Sequence, residues 1–510
     1  MASKAAAAGA QTGVTGNVDL FNVNTNYGST VNTGSESIFA NADLRTRLWS
    51  ELVTRDAREK NVFAKFIGSE SSGSPVVEKR DLSAGGSDKV TFTTVAPIRG
   101  QGVRGEEILK NKTGKLKFGA FSVEVDLIRH AVAWTQVVKL MRFTGKTIDQ
   151  LSADVMSEWA GRTEQDHIQM VLRDTCLNRT QNNYITGYGA GANLQYTEGL
   201  STDIIQEAKQ ALIAQGGEPM KVGGDDKTEI PGYLFFAPDA CLRPLRSDPD
   251  YLEAILQADE RSGTNKLFSG NYAMWDGNVI ANHNVILDTA DGRQGSPLLP
   301  TAVVQDDLAA AAQAGTTTID LGYDTFANFL GFDAKIPGGG GGQYATTAKT
   351  NAALVEGHIL IVKPDGTFAC YSYLNNTGAT LTGLARVNSA QGQLGAASTA
   401  QLVTPNSYDI LSTATVVTGG SVIYQCNVAG TPIGWGLTMG KSALYYAKGA
   451  VSNEQIFHYD DFANSGNEAH LSAVGIQSVY GMAAYQDTSG RVPGVQLVEA
   501  VRQVPGFSYT

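Results

Sequence analysis

Apolar positions recur with two different periods along this chain, and the switches between them outline its architecture. Around residues 41–60, Leu44, Leu48 and Leu52 recur every four positions with Trp49 and Val53 beside them, which is one apolar face of a helix. A period of two follows. Val90, Phe92, Ala96 and Ile98 occupy even positions, with Thr91 and Thr93 between them. The alternation resumes at Leu116 and Phe118, then moves to the odd positions Phe121, Val123, Val125 and Leu127. That change of phase near Gly119 predicts a bulge or bend. Between the two runs lies RGQGVRGEEILKNKTG, residues 99–114, polar, glycine-rich and locally basic. Together they predict a long hairpin with an extended tip, a projection too narrow for a core of its own.

The helical period returns at residue 147. Thr147 and Gln150 fit a capping box, and Ile148, Leu151, Val155 and Trp159 follow at helical spacing, with Ile168, Val171 and Leu172 resuming the stripe. A helix over 148–177 is ~45 Å long at 1.5 Å per residue. A second helix starts near Asp203 and Gln206, carries Ile204, Ala208, Ala211 and Leu212, and stops at Gly216-Gly217. YLFFAP (233–238) reads as a buried strand, NVIANHNVILD (278–288) as another, and Pro249 after Asp248 suits the first turn of a helix. HILIVKPDGTFACYSYL and ILSTATVVTGGSVIYQCNV read as hairpins turning at Pro364-Asp365-Gly366 and Gly419-Gly420. VPGVQLVEAV closes the pattern as a strand.

Composition changes this picture in one place. Residues 291–440 carry 14 charged side chains, about 9%, against about 21% elsewhere, and are rich in Gly, Ala, Thr and Asn. The block reads as an inserted, mostly β subdomain, with the pentaglycine 338–342 as a loop. Glycine is 57 of 510 residues, which suits many turns, and a hydrophobic content of 42% excludes wholesale disorder. The net charge of −11 argues against a chain that coats nucleic acid through basic surface, though a container with an inner wall facing DNA remains compatible. No apolar run is long enough to cross a membrane. Residues 1–40 lack apolar anchors and read as a flexible arm.

Candidate chemistry is sparse. Cys176, Cys241, Cys370 and Cys426 are too far apart for a zinc site and read as buried thiols of a reducing compartment. TGKT (144–147) has Leu140 where a phosphate-binding loop requires glycine. The histidines 130, 167, 283, 358, 458 and 470 are scattered singly, and residues 288–295 lack the third ligand of a calcium loop. The expectation is no catalytic residue, no metal and no cofactor. The hairpin tip holds Arg99, Arg104, Glu106, Glu107, Lys110 and Lys112, either a solvated charged loop or a surface that pairs with a neighbouring copy.

Read in order, an arm, an amphipathic helix, a long charged hairpin, a long helix and a compact α/β body resemble the major capsid proteins of tailed bacteriophages of the Hong Kong 97 fold type, and among them the N-four-like branch. The resemblance is carried by GGSDKVTFTTVAPIRGQGVRGEEILKNKTGKLKFGAFSVEVDLIRHAVAW, DQLSADVMSEWAGRTEQDHIQMVL, TNKLFSGNYAMWDGNVIANHNVI and the tail LSAVGIQSVYGMAAYQ into PGVQLVEAV. It covers about 41–290 and 441–510; the block 291–440 goes beyond the basic pattern.

The resemblance implies an α+β capsid fold. Residues 1–40 would be the arm, 41–67 an N-terminal helix, 68–130 the extension loop, and 131–232 a peripheral domain with 148–177 as its spine helix. Residues 233–290 would begin the axial domain and 441–510 complete it. It further implies a non-enzymatic subunit that assembles with itself into hexamers, pentamers and an icosahedral shell around double-stranded DNA, contacted without sequence specificity. Scaffolding, portal and decoration proteins are the implied partners, the virion the location and the host cytoplasm the place of assembly. Some relatives join subunits through a lysine–asparagine isopeptide bond; Lys110 and Lys112 stand where such a lysine lies, with no partner identifiable. The apolar surface of the hairpin is then expected to be covered by neighbours. The competing reading is a tailspike-like, glycan-acting or glycan-binding β-rich protein, which requires a periodic β-solenoid that this sequence lacks.

Overall fold

The computed structural model describes residues 62–70, 72–79, 89–96, 105–106, 117–135, 148–177, 184–186, 199–222, 230–254, 274–283, 293–304, 318–321, 325–330, 357–364, 368–377, 379–388, 393–394, 419–427, 430–448, 455–459, 471–486 and 491–504. The expected arm, the helix at 41–60, the TGKT turn and the pentaglycine lie outside them.

The architecture is α+β. Leu471–Ala483 is the axis of a long sheet. One edge of it carries Asp126–Thr135, antiparallel from Leu471↔Thr135 to Tyr480↔Asp126. The other edge carries Gln455–Tyr459 and Leu444–Lys448, and the sheet continues in parallel through Val76–Lys79 to Ile67–Gly68. A central sheet runs in the order Tyr184–Thr186, Val495–Val501, Ile433–Met439, Ile230–Pro238, Asn278–His283 and Met274–Trp275. The closing strand Val495–Val501 is therefore internal to it, paired on both sides.

Two helices cover the central sheet, one on each face. Helix α1, Ile148–Leu177, packs Ile168, Val171 and Leu172 against Leu234, Phe236, Leu437, Val495, Leu497 and Val501. Helix α2, Thr202–Ala214, packs Ile204, Ile205 and Ala208 against Phe235, Ala237, Val498 and Ala500. The period of two in YLFFAP thus sends alternate side chains to opposite helices, which is why the whole run is apolar. α1 also contributes to the core shared with Leu444, Tyr446, Tyr480 and Met482 of the long sheet. Wedged between two sheets, it buries Gln165, Asp166, Gln169, Arg173 and Thr175 along with its apolar stripe.

α2 begins at Thr202, beside the expected Asp203, and its cap comes from another segment. Ser201 makes no side-chain cap; Asp248 Oδ2 instead accepts from Thr202 N at 2.9 Å and Thr202 Oγ1 at 3.0 Å. Asp248 Oδ1 also accepts from Asp250 N at 3.1 Å, at the start of the helical segment 249–254. One carboxylate thereby satisfies orphan amides of two helices.

Between Asn278–His283 and Ile433–Met439 the chain builds a third, antiparallel sheet. Its order is Arg293–Ser296, Leu299–Val303, Val422–Cys426, Gly357–Val362, Phe368–Tyr373, Ala385–Asn388 and Gln393–Leu394. The hairpin Gly357–Val362 with Phe368–Tyr373 forms as the sequence predicts. The hairpin expected around Gly419-Gly420 does not: Val422–Cys426 has Leu299–Val303 on one edge and Gly357–Val362 on the other. With both ladders occupied, it is an interior strand.

Candidate intersubunit surface

Lys89–Ala96 and Lys117–Glu124 form the two strands of the hairpin, in unbroken register from Lys89↔Glu124 to Ala96↔Lys117. Gly119 pairs with Thr94 in that ladder, so the change of apolar phase is not a bulge. It marks a change of face. Val90, Phe92 and Val123 are buried, whereas Phe118 on the even face is 72% exposed. The strand then breaks at Val125 and changes partner, leaving the hairpin for the long sheet.

The hairpin base is anchored to its own chain, which corrects the expectation that neighbours alone would cover it. Val90, Phe92 and Val123 cluster with Val77, Ala447 and Ala483. The Tyr445 ring lies 4.8 Å from Phe92 and 5.4 Å from Phe121, both edge-on, the favoured geometry for aromatic quadrupoles. Lys79 Nζ donates to Thr91 O at 2.9 Å and sits 5.6 Å from the Phe92 ring centre. Lys89 and Glu124, directly opposite in the ladder, form an exposed ion pair at 2.5 Å. Among the described residues no further strand pairs with these two, and Phe118 on the outward face stays exposed.

Of the candidate contact residues, Glu106 is described: it is exposed in the tip turn, beside Gly105 at φ +63°. Arg99, Arg104, Glu107, Lys110 and Lys112 lie outside the described residues.

Several of the residues considered for chemistry have defined contacts in the fold. Among the described residues no three His, Cys, Asp or Glu side chains gather around a metal position. His130 stacks on Trp159 of α1 at 4.7 Å, and His167 Nδ1 lies 2.9 Å from Tyr480 Oη. The four cysteines are buried thiols; burial pushes Cys241 up to about 12. Cys370 and Cys426 approach to 3.5 Å between sulfurs from strands that flank a third, too far apart in the sheet for a disulfide. One buried carboxyl was not singled out by the sequence. Glu499, opposite Trp435 in the ladder, is raised from 4.5 to about 8 by desolvation, and its Oε1 has no hydrogen-bond partner. Nothing in an alternating VQLVEAV run distinguishes an inward glutamate from an outward one.

A family model described as phage capsid protein matches residues 31–298, just over half of the chain. The chain belongs to the phage capsid protein family. It is a major capsid protein that forms the phage head shell, and shell formation entails self-association into capsomers. No curated protein matches the sequence. Among solved structures, the capsid of Ralstonia phage GP4 is similar with a TM-score of 0.51 at 15% identity, covering 92% of this chain and 99% of that one. The capsid subunit of cyanophage Pam1 is similar with a TM-score of 0.49 at 13% identity, covering 91% and 98%. The first likeness shows the fold, an α+β capsid fold spanning the length of both chains. The family is structural and is not an enzyme class. In this capsid protein the anchored hairpin base and the exposed Phe118 are parts of one virion subunit.

Proposed function

We propose that the hairpin is the extension loop of a Hong Kong 97 type subunit, laid across an adjacent copy in the shell. Arg99, Arg104, Glu106, Glu107, Lys110 and Lys112 are its contact residues and Phe118 its apolar foot. The observation that carries this reading is a phenylalanine 72% exposed on a strand whose base is fixed by aromatic packing. A rigid mount lowers the ordering entropy that association would otherwise cost, and an exposed large apolar group marks an interaction site.

In this reading residues 131–232 form the peripheral domain with α1 as spine, and 233–290 with 441–510 the axial domain around the symmetry axes. The shell encloses double-stranded DNA, and with a net charge of −11 the subunit meets it without sequence specificity. Scaffolding, portal and decoration proteins are the further partners. Assembly takes place in the host cytoplasm, and the subunit performs no catalysis. Charge reversal at Lys110 and Lys112 together, read by sedimentation and electron microscopy of the expressed protein, tests the assignment. Loss of closed particles with retained folding is expected; particles indistinguishable from wild type contradict it.

A further inference from the structure

The inserted sheet touches the body through Pro297–Thr301, the turn between its strands Arg293–Ser296 and Leu299–Val303 and the start of the second. Leu298 packs into the core under α1 and Leu299 into the core under α2, while Trp435 N donates to Leu298 O at 2.9 Å. Two buried guanidinium groups close on this short segment from different elements. Arg173 of α1, 1% exposed, donates from Nη1 to Pro297 O at 2.6 Å and Asn328 O at 2.8 Å, and from Nε to Asp174 Oδ1 at 2.8 Å. Its guanidinium lies 5.3 Å from the Trp435 ring. Arg502, just after the closing strand and 6% exposed, donates from Nη1 to Pro300 O at 3.2 Å and Thr301 Oγ1 at 2.5 Å. It lies 4.4 Å from the ring centre of Tyr424, a residue of the inserted sheet.

These contacts are poor value as stability alone. A buried cation loses its hydration, and Arg502 has no carboxylate partner among the described residues; an apolar side chain of similar volume is commonly as stable or more so. What arginine provides is direction: a planar fork whose donors fit only one placement of the carbonyls it holds. Both guanidinium groups, each carried by the body, hold this same five-residue segment of the inserted sheet.

We propose that Arg173 and Arg502 form a two-point clamp that fixes the orientation of the inserted sheet on the central sheet, so that this sheet is a rigid part of the capsid subunit and not a swivelling appendage.

Hydrogen exchange on assembled particles tests this, comparing wild type with Arg502→Met and Arg173→Met. The Trp435 amide, which donates across the junction to Leu298 O, should exchange about tenfold faster, the change expected from losing one hydrogen bond to a charged group. Amides inside each sheet, at Ile359–Ile361 and Leu234–Phe236, should keep their wild-type rates. Unchanged junction rates overturn the clamp, as does equal acceleration inside both sheets, which marks ordinary core residues. If a methionine variant does not fold, Thr301→Val decides: it keeps Arg502 and removes one acceptor. Selective junction acceleration supports the clamp, and uniform or absent acceleration overturns it.

Discussion

The hairpin and the inserted block are both β-structure attached to the same body, and they solve the burial problem in opposite ways. The hairpin is highly charged at its tip, has two strands, and leaves Phe118 uncovered. The block is sparsely charged and its sheet is covered on both faces, although Leu374 beside it stays exposed. Ile319, Phe326, Phe329 and Leu381 lie over one face, and Val504 packs with Leu360, Cys370 and Tyr424 on the other. Its polar side chains serve the interior: Asn376 Nδ2 donates to Phe326 O at 3.0 Å, Gln425 Nε2 to His358 O at 2.8 Å, and Tyr373 Oη to Leu330 O at 2.9 Å. Low charge here accompanies a sheet buried on both faces, and charge at the tip accompanies a two-stranded projection with an exposed phenylalanine. An insertion that must fold on every copy of a shell gains from closing on itself.

Perturbing the body beneath both regions should have the largest effect. The folded-state value of Glu499 is raised above its ordinary one, so the neutral form is favoured in the fold. Stability is unpenalised by this group below about pH 4.5 and falls as pH rises to about 8, by on the order of 5 kcal/mol, because the folded state resists deprotonation. Thermal unfolding across that range should show the slope, and Glu499→Gln should flatten it. Next, Gly357→Val should break the block: a Cβ there would stand 1.9 Å from the Tyr373 ring, and overpacking of that degree destabilises by about 3 kcal/mol or more. Calorimetry should find the loss in the block while the hairpin base keeps its protease resistance. Phe92→Ala should do the reverse, loosening the hairpin base by about 3 kcal/mol, visible as new cleavage within Lys89–Glu124. The smallest effect belongs to Lys89→Ala, about 0.5 kcal/mol and screened by salt, because its ion pair with Glu124 is exposed.

Much of the fold was legible where the signal was local. The capping pattern and apolar spacing gave α1 its limits, Val90 and Phe92 gave the inward face of the hairpin, and YLFFAP gave a strand buried on both sides. Pairing partners were not legible. Asp126–Thr135 joins Leu471–Tyr480 from far along the chain, and Val422–Cys426 is flanked by two distant strands where a local hairpin looked sufficient. The apolar phase at Phe118 was read as a bulge or bend because the alternation rule assumes that apolar side chains go inward; Phe118 is exposed, so the rule fails at that residue. Of the candidate contact set, Glu106 is placed on the exposed tip turn. Arg173 and Arg502 gave no signal, since a buried arginine bonded to backbone carbonyls looks like any other in sequence.

The account turns on Phe118 reaching a second copy of the chain. Sedimentation velocity of purified Phe118→Asp beside wild type tests this most directly, with thermal unfolding as the control for folding. The expected result is closed shells for wild type, and for the variant free subunits or capsomers with an unfolding temperature near wild type, since the side chain is exposed within its own chain. Shells of normal size and yield from Phe118→Asp would contradict it.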